Sequence, residues 1–482
     1  MNKPIRRVSI LVMALFALLL ANGTYIMVFE QSSLNANQLN RRARDEDFAQ
    51  NRGSILAGDT AIAYSKPSND RFKYQRVYPD GKMYAPITGF FSYDHGTTGL
   101  ENSYNTQLAG TDDSLFVRRM VDLVTNQPPQ GASIQTTINP AVQKAAYNAL
   151  GDQKGAAVAI DPKTGAILAM VSKPSFDPNT VASHDIESAN KAYTKAVKDP
   201  DNPMSNRAAR EIYPPGSTFK LVTTAAALEK GGLTPDSKVA SPNRLLLPGT
   251  STYLSNENGE SCGGAKITMT QALDVSCNTA YAGIGLKLGA DTLSNEAGKF
   301  GFGSRHLSDL GAAASVFPDD INESQLALCS IGQYEVAASP LQMAMVSAAI
   351  ANDGVLMDPY IVSEVRSPDL QVLSRTKPQE LDRPLSADNA NKLKQMMVSV
   401  VQNGTGTAAQ IPGIGVGGKT GTAQSDPTRK PYAWFTALAP SDDPQIAVAV
   451  FIEDANIPRE DIAGGALAAP VAKAMIEAAV KK

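Results

Sequence analysis

Residues 8–29 form a run of 22 positions without a charged side chain. As a helix, this run would extend for roughly 33 Å, which is enough to cross the hydrocarbon core of a bilayer. It exceeds the apolar region of a typical signal peptide, and no small-x-small cleavage pattern follows it, so it predicts a non-cleaved transmembrane anchor. Lys3, Arg6 and Arg7 predict that the preceding tail, residues 1–7, is cytoplasmic and that the remainder lies outside the cytoplasm.

After this run, the pattern of apolar and polar residues changes near residue 133. Residues 30–133 are polar, with short strand-like pieces and turns and no strong helical stripe, which predicts a small mixed α+β domain. In residues 134–482, apolar periodicity and end signals predict long elements. Predicted helices cover 138–151, 217–232, 266–289, 339–354, 386–404 and the segment from about 464; predicted strands cover 155–160, 166–171, 432–440 and 445–454. Early strands, central helices and late strands predict one α/β domain whose sheet is closed by distant segments.

Charge and composition exclude some classes of partner. Lysine plus arginine number 44 against 47 acidic residues, a net charge of −3, and no basic tract is present, so nucleic-acid binding is not expected. His95, His184 and His306 form no metal-binding motif, so neither a metal nor another cofactor is expected. Cys262 and Cys277 are close enough in sequence to form a disulfide in an oxidising compartment, with two buried free thiols as the alternative.

The stretch GIGVGGKTG at 413–421 matches two unrelated motifs. Gly413, Gly418, Lys419 and Thr420 satisfy GxxxxGK[ST], the phosphate-binding loop of nucleotide hydrolases, whereas the last three residues spell the KTG triplet of one class of serine acyl enzymes. A phosphate loop joins a buried strand to a helix. No buried strand is predicted before this segment, and no helix is predicted after it. An extracytoplasmic location, where ATP is scarce, also argues against the nucleotide interpretation.

A serine nucleophile without a histidine needs another base, and a lysine serves only when it is neutral. Burial lowers a lysine pKa, and a spacing of three on a helix puts both side chains on one face. Ser217 and Lys220 meet these conditions at the start of an apolar helix, although Ser217 as a simple helix cap is the alternative. The other SxxK matches lie in exposed, charged or proline-terminated segments: Ser188–Lys191 and Ser374–Lys377.

Two further short motifs are selected by their surroundings. Ser276 and Asn278 form an SxN pattern inside an apolar helical segment, where two polar side chains suit either a polar cleft or a hydrogen-bonded pair in the core. The SxN matches beginning at Ser33, Ser103 and Ser188 lie in polar or membrane-adjacent segments. KTG also occurs at 163–165, where Asp-Pro-x-x-Gly is ordinary turn chemistry. The copy at 419–421 follows two glycines, which allows close approach of a ligand to the backbone.

Taken together, these motifs resemble those of the class B penicillin-binding proteins, the monofunctional peptidoglycan D,D-transpeptidases, and most closely the actinobacterial penicillin-binding protein A group. The resemblance covers nearly the whole chain through RGSI, GLENSYNTQLAG, AVAIDPKTGAILAMVSKPSFDPN, NRAAREIYPPGSTFK, SCN and GGKTGTA. It implies the penicillin-binding transpeptidase fold, an antiparallel sheet flanked by helices, for residues 134–482. It also implies an N-terminal pedestal domain for residues 30–133.

The resemblance also implies roles for individual residues. Ser217 would attack the penultimate D-Ala carbonyl of a stem peptide, and Lys220 would accept its proton. Ser276 would relay a proton to the departing D-Ala, and Asn278 would hold the substrate amide. The substrate-binding residues would be Lys419, Thr420, Gly421 and Thr422.

The resemblance implies partners as well: peptidoglycan stem peptides, β-lactam antibiotics, the membrane, and proteins of cell-wall synthesis or division. A D,D-carboxypeptidase or β-lactamase on the same fold remains an alternative, as does a catalytically silent scaffold, because fold does not fix function. The hydrolase alternative needs a carboxylate that positions a deacylating water, and the sequence offers no obvious candidate.

Overall fold

A computed structural model describes residues 3–30, 33–34, 41–125, 127–424, 429–455 and 457–480. The first two residues of the predicted tail and most of the segment that follows the anchor therefore lie outside the described residues. Helix α1, Lys3–Tyr25, continues through a π-helical turn to Glu30. This 28-residue helix is long and apolar enough to cross a membrane, and its apolar core window is fully exposed in the isolated chain.

The N-terminal domain is built on a six-stranded sheet in the order β15-β14-β6-β1-β2-β3. Its strands are β1 Ile55–Ala57, β2 Thr60–Pro67, β3 Tyr74–Val77, β6 Ser133–Thr136, β14 Val362–Arg366 and β15 Val372–Arg375. The predicted boundary at residue 133 thus falls in β6, which pairs in parallel with β1 and antiparallel with β14. Hairpin β14–β15 was not predicted as part of this domain, because the pairing joins segments more than 200 residues apart.

The N-terminal domain also contains short helices: α2 Arg41–Phe48, α3 Gly81–Thr88, α4 Gly99–Ser103, α5 Asn105–Ala109 and α6 Phe116–Thr125. A small hairpin, β4 Phe91–Ser92 and β5 Gly96–Thr97, lies beside them. Arg52 and Arg76 bind the buried carboxylate of Glu101 at 2.8 and 2.6 Å. Although burial acts to raise it, the pKa of Glu101 is lowered because both guanidinium groups stabilise the charged form. The network joins the RGSI and GLENSYN segments.

The large domain contains a fully antiparallel sheet in the order β17-β18-β19-β7-β8, which confirms the predicted fold class. Its strands are β7 Lys154–Ile160, β8 Ile167–Lys173, β17 Gly417–Ala423, β18 Tyr432–Ala439 and β19 Ile446–Asp454. The early hairpin turns at the predicted Asp-Pro-Lys-Thr-Gly, where Gly165 has a φ of 82°. Strand β18 is buried along its whole length, as expected for a strand covered on both faces.

Helices of the large domain surround the sheet. They are α7 Pro140–Ala149, α8 Pro178–Val181, α9 Ile186–Lys198, α10 Arg207–Arg210, α11 Lys220–Glu229, α12 Met269–Asp274, α13 Asn278–Leu288, α14 Ala290–Lys299, α15 Glu323–Cys329, α16 Pro340–Ala351, α17 Ala387–Asn403 and α18 Gly464–Ala479. Short strand pairs complete it: β9 Lys238–Ala240 with β12 Lys266–Thr268, β10 Arg244–Leu246 with β11 Tyr253–Ser255, and β13 Leu356–Met357 with β16 Glu380–Asp382.

Most of the long predicted helices are confirmed, one with its cap. The Ser339 hydroxyl accepts the Gln342 N–H, Pro340 occupies the first turn, and every residue of α16 is buried. The single helix predicted for 266–289 is wrong: strand β12 comes first, and α12 and α13 are separated at Ser276, whose φ is 56°. Apolar periodicity persists across this break, so the pattern alone did not reveal it.

Candidate active site

Ser217 lies on a 3₁₀ turn, Gly216–Phe219, that leads directly into α11. Gly216 has a φ of 52°, and a Cβ there would lie 2.8 Å from the Thr422 carbonyl oxygen, so only glycine fits between this turn and β17. The Gly216 N–H donates to the Gly332 carbonyl at 2.9 Å. These contacts hold a partly exposed Ser217 side chain at the start of a helix, where backbone N–H groups are free to bind an anion.

Lys220 is fully buried behind this turn. Its Nζ donates to the Ser276 carbonyl oxygen at 2.7 Å, to Asn278 Oδ1 at 2.8 Å and to Ser276 Oγ at 3.2 Å. Burial, assisted by the charge of Lys419, holds the pKa of Lys220 well below its usual range. Burial therefore favours the neutral amine, which is the form required of a base.

Ser276 occupies the break between α12 and α13 in a left-handed conformation. Such a backbone costs on the order of 1–3 kcal/mol for a residue other than glycine and persists only where the surroundings impose it. Its neighbour Cys277 is joined to Cys262 by a disulfide, with a Cα–Cα separation of 5.7 Å. The Thr279 N–H donates to Asn256 Oδ1 at 3.1 Å, so the loop before α12 is held to the start of α13.

Lys419 approaches Ser276 from the opposite side. It lies on edge strand β17, is fully buried, and donates from Nζ to Ser276 Oγ at 2.9 Å and to the Thr420 carbonyl oxygen at 3.0 Å. Burial lowers the pKa of Lys419 to about 7, although Glu257 and Asp274 favour its charged form. One hydroxyl thus lies within hydrogen-bonding distance of two buried lysines, and electrostatic repulsion disfavours charging both.

The rest of the KTG segment faces the Ser217 turn. A Cβ on Gly421 would lie 3.0 Å from the Pro215 carbonyl oxygen and from Thr218 Cγ2, so the two segments pack closely. The Thr422 carbonyl faces Gly216, and in a strand the N–H and C=O of one residue point to the same edge. The Thr422 N–H is therefore directed to the side of the strand where Ser217 lies.

The structure adds residues that the sequence analysis did not select. Thr405 is an exposed residue whose Oγ1 lies 2.6 Å from Thr420 Oγ1. The backbone N–H of Thr405 donates to the Asp274 carbonyl at 3.1 Å. Asp274 accepts a hydrogen bond from the Ser399 hydroxyl at 2.9 Å, and burial raises the pKa of its carboxyl group. The only sequence signal for Asp274 was its position two residues before Ser276.

The rejected motifs lie apart from this cluster. Lys163 is exposed in the β7–β8 turn and pairs with Asp443 at 2.6 Å, while Lys191 is exposed on α9 and pairs with Glu187. Residues 417–423 form a strand, so the GxxxxGKT match has no helix at Thr420 and the nucleotide interpretation is wrong. Within the described ranges, no group of three or more His, Cys, Asp or Glu side chains is arranged to hold a metal ion.

Comparisons with known proteins agree with this geometry. The family model for the penicillin binding protein transpeptidase domain matches residues 155–477, and that for the penicillin binding protein A dimerisation domain matches residues 52–134. The chain is 42% identical to the peptidoglycan D,D-transpeptidase PbpA of Mycolicibacterium smegmatis, with 100% of both chains covered. It is 41% identical to PbpA of Mycobacterium tuberculosis strain H37Rv, over 100% of this chain and 99% of the relative.

Solved structures give the same assignment. The chain matches the ceftriaxone acyl-enzyme complex of penicillin-binding protein A from M. tuberculosis with a TM-score of 0.88 and 40% identity, over 91% of this chain and 100% of that one. It matches the penicillin G acyl-enzyme complex of the same protein with a TM-score of 0.86 and 40% identity, over 90% and 100%. The chain therefore belongs to the penicillin-binding protein transpeptidase family, as a class B member that resembles mycobacterial PbpA.

Proposed function

We propose that this protein is a peptidoglycan D,D-transpeptidase that crosslinks D-Ala-D-Ala stem peptides through an acyl-serine intermediate at Ser217 and is inhibited by β-lactams. The observation that carries the proposal is the convergence of two fully buried lysines, Lys220 and Lys419, on Ser276 Oγ. A proton can move between the three groups without leaving the protein. Such a relay suits a reaction in which a serine loses a proton and a departing amine gains one.

In acylation, Ser217 Oγ attacks the carbonyl carbon of the penultimate D-Ala while its proton passes to the neutral Nζ of Lys220. The backbone N–H groups of Ser217 and Thr422 stabilise the negative charge that develops on the carbonyl oxygen. The peptide C–N bond then breaks, and the terminal D-Ala leaves after its nitrogen receives the proton from Lys220 through Ser276. The product is an ester between Ser217 and the stem peptide.

In the second half-reaction, a neighbouring stem-peptide amine attacks this ester. An amide forms, the ester C–O bond breaks, and the proton lost by the amine returns to Ser217 Oγ through Ser276 and Lys220. Asn278 holds the substrate amide. It also positions Lys220, whose Nζ donates a hydrogen bond to Asn278 Oδ1 at 2.8 Å. Water attack in place of the amine would instead give hydrolysis, the carboxypeptidase outcome.

The terminal carboxylate of the donor is bound at β17. Thr422 is partly exposed there, and the Thr420 hydroxyl meets that of exposed Thr405. Lys419 is fully buried behind these hydroxyls, so its charge attracts the carboxylate without direct exposure to solvent. Gly421 allows the strand to pack close to the Ser217 turn.

We further infer the predicted organisation of the chain: tail 1–7, anchor 8–29, pedestal 30–133 extended by hairpin β14–β15, and transpeptidase domain 134–482. The 28-residue apolar helix and the charges Lys3, Arg6 and Arg7 support a single-pass protein with its catalytic domain outside the cytoplasm. Proteins of cell-wall synthesis or division are the proposed partners of the protein.

The test combines a donor stem peptide with an acceptor amine and measures crosslinked against hydrolysed product. We expect crosslinked product from the wild-type protein and none from Ser217→Ala. In parallel, mass spectrometry should detect a penicillin adduct on the wild-type chain only. An adduct on Ser217→Ala would contradict the nucleophile assignment, and exclusively hydrolysed product would indicate a carboxypeptidase.

A further inference from the structure

In helix α6, Phe116–Thr125, the apolar side chains face solvent and a charged side chain is buried, which is the reverse of an ordinary surface helix. Its buried side chain is Asp122, whereas its large apolar side chains are between 48% and 82% exposed. These exposed residues are Phe116, Val117, Met120, Val121, Leu123 and Val124. At about 100° per residue they cover one continuous side of the helix, roughly 160° wide. An apolar face of this kind on a surface normally marks an interaction site.

The polar side of α6 attaches the helix to its domain. Arg118 pairs with Asp122 inside the helix at 2.8 Å and lies 3.9 Å from Asp369 in the β14–β15 turn, and the Arg119 guanidinium donates to the Gly110 carbonyl at 3.3 Å. Leu115, directly before the helix, is buried, and the Asp112 carboxylate accepts the Ser114 N–H at 3.0 Å. The outward direction of the apolar face is therefore imposed by specific contacts on the opposite side.

The segment that carries α6 is attached next to the part of the domain that follows the anchor. Gly53 donates to the Leu108 carbonyl at 2.9 Å before α6, and Gly131 donates to the Asn51 carbonyl at 3.0 Å after it. Asn51 comes three residues after α2, and ten residues separate α2 from Glu30 at the end of the membrane-type helix. Ten residues span at most about 36 Å, so a bilayer holding α1 is within reach of this segment.

We propose that the apolar face of α6 inserts into the surface of the lipid bilayer that holds α1, giving the pedestal a second membrane contact. A helix of ten residues is about 15 Å long and 10 Å wide. A stable protein interface buries ~800 Å² per partner between matched surfaces, whereas the apolar face of α6 is confined to one helix of ten residues.

A bilayer requires no matching surface, and a tether converts weak insertion into an intramolecular event. The composition also fits, since interfacial helices combine Phe, Leu and other apolar residues on one side with arginines on the other. Arg118 and Arg119 supply the basic residues on the polar side.

This inference rests on the proposed anchoring by α1, and the experiment separates the two. The full-length chain is reconstituted into phosphatidylethanolamine–phosphatidylglycerol vesicles with a polarity-sensitive fluorophore on one introduced cysteine: Val124→Cys on α6, Val197→Cys on α9, or Leu18→Cys in α1. Val197 is the matched control, because it is a valine that is 56% exposed on another surface helix. The native cysteines are a disulfide pair and the buried Cys329.

Brominated acyl chains should quench the Leu18→Cys and Val124→Cys probes about twofold or more, and the Val197→Cys probe by less than about a tenth, because only inserted probes meet the acyl chains. Adding Val117→Asn and Leu123→Asn should abolish quenching at Val124→Cys. The thermal midpoint should stay unchanged, since both substituted side chains are about three-quarters exposed.

Quenching at Leu18→Cys without quenching at Val124→Cys would overturn the insertion and leave the anchor intact. Energy transfer between α6 probes that rises with protein density, without lipid quenching, would overturn it in favour of a second copy. An unquenched Leu18→Cys probe would refute the anchor and, with it, the inference.

Discussion

The letters Lys-Thr-Gly occur twice in this chain, and the two copies have little in common in the folded protein. At 163–165 the triplet fills the β7–β8 turn, and Lys163 is exposed and pairs with Asp443, which raises the pKa of its ammonium group. At 419–421 it lies in edge strand β17, where burial lowers the pKa of Lys419 to about 7. The difference comes from the neighbours: a hydrated aspartate at one site, and Ser276 with a second buried lysine at the other. A short motif acquires chemical meaning only from the element that carries it.

The largest expected effect separates the two copies directly. Lys419→Met should lower the rate of acylation by penicillin about 10²- to 10³-fold, because it removes the buried charge behind the carboxylate site and one end of the relay. Lys163→Met is the matched control and should change neither this rate nor the thermal midpoint, since exposed ion pairs contribute little. Acylation is measured by intact-protein mass spectrometry over time. An equal loss of acylation rate in Lys419→Met and Lys163→Met would show that the two lysines do not differ in their contribution to acylation.

A second substitution tests whether contact with Ser276 distinguishes Lys419. Ser276→Ala removes the hydroxyl that lies 2.9 Å from Lys419 Nζ and 3.2 Å from Lys220 Nζ. We expect acylation to slow by about 10²-fold, because proton transfer to the leaving nitrogen loses its relay. Ser188→Ala, in the rejected motif on α9, should leave the rate unchanged. An unaffected Ser276→Ala rate would mean that the proton reaches the leaving group by another route.

The pH dependence of acylation should report the buried lysine pair. Both pKa values are lowered, so the neutral amine needed as base becomes more populated as pH rises. The rate should therefore increase with pH as Lys220 loses its proton, and decrease above about 7, where Lys419 loses the charge that acts on the donor carboxylate. Lys163→Met should give the same profile. A profile with no rise in rate on its acid side would exclude a neutral lysine base.

The smallest expected effect concerns Thr405, whose hydroxyl meets that of Thr420 at 2.6 Å. Thr405→Val keeps the shape and removes one hydroxyl, so the KM for the donor peptide should rise about three- to tenfold while kcat changes little. Thr407→Val, an exposed threonine two residues later, is the matched control. A fall in kcat with unchanged KM would place Thr405 in the chemical steps instead of in binding.

Local sequence signals predicted the regular parts of this molecule well. The Asp-Pro-Lys-Thr-Gly turn, the Ser339–Pro340 helix start and the Gly404 helix end each depend on neighbouring residues, and all are found where expected. Lys220, Ser276 and Lys419 also converge in space, as expected for residues that were selected by burial and helix position.

The parts that were missed depend on distant contacts or on departures from periodicity. The break at Ser276 interrupts an apolar pattern that continues across it, and hairpin β14–β15 joins a sheet more than 200 residues away in sequence. Thr405 and Asp274 become site residues only when α17 packs beside α12. Residues 116–124 carry an apolar helical stripe, so the prediction of no strong helical stripe in residues 30–133 is wrong for α6; the periodicity alone could not reveal that the apolar side faces outward.

The order of strands in the catalytic sheet has a consequence for biosynthesis. Strand β7 is made early, but its partner β19 begins almost 300 residues later, and β17 with its lysine is also late. A chain that has only reached α16 already contains Ser217, Lys220 and Ser276, yet it lacks the strand against which Ser217 is held. The site around Ser217 therefore becomes complete only after residue 423 has been synthesised, when β17 can pack against the Gly216 turn.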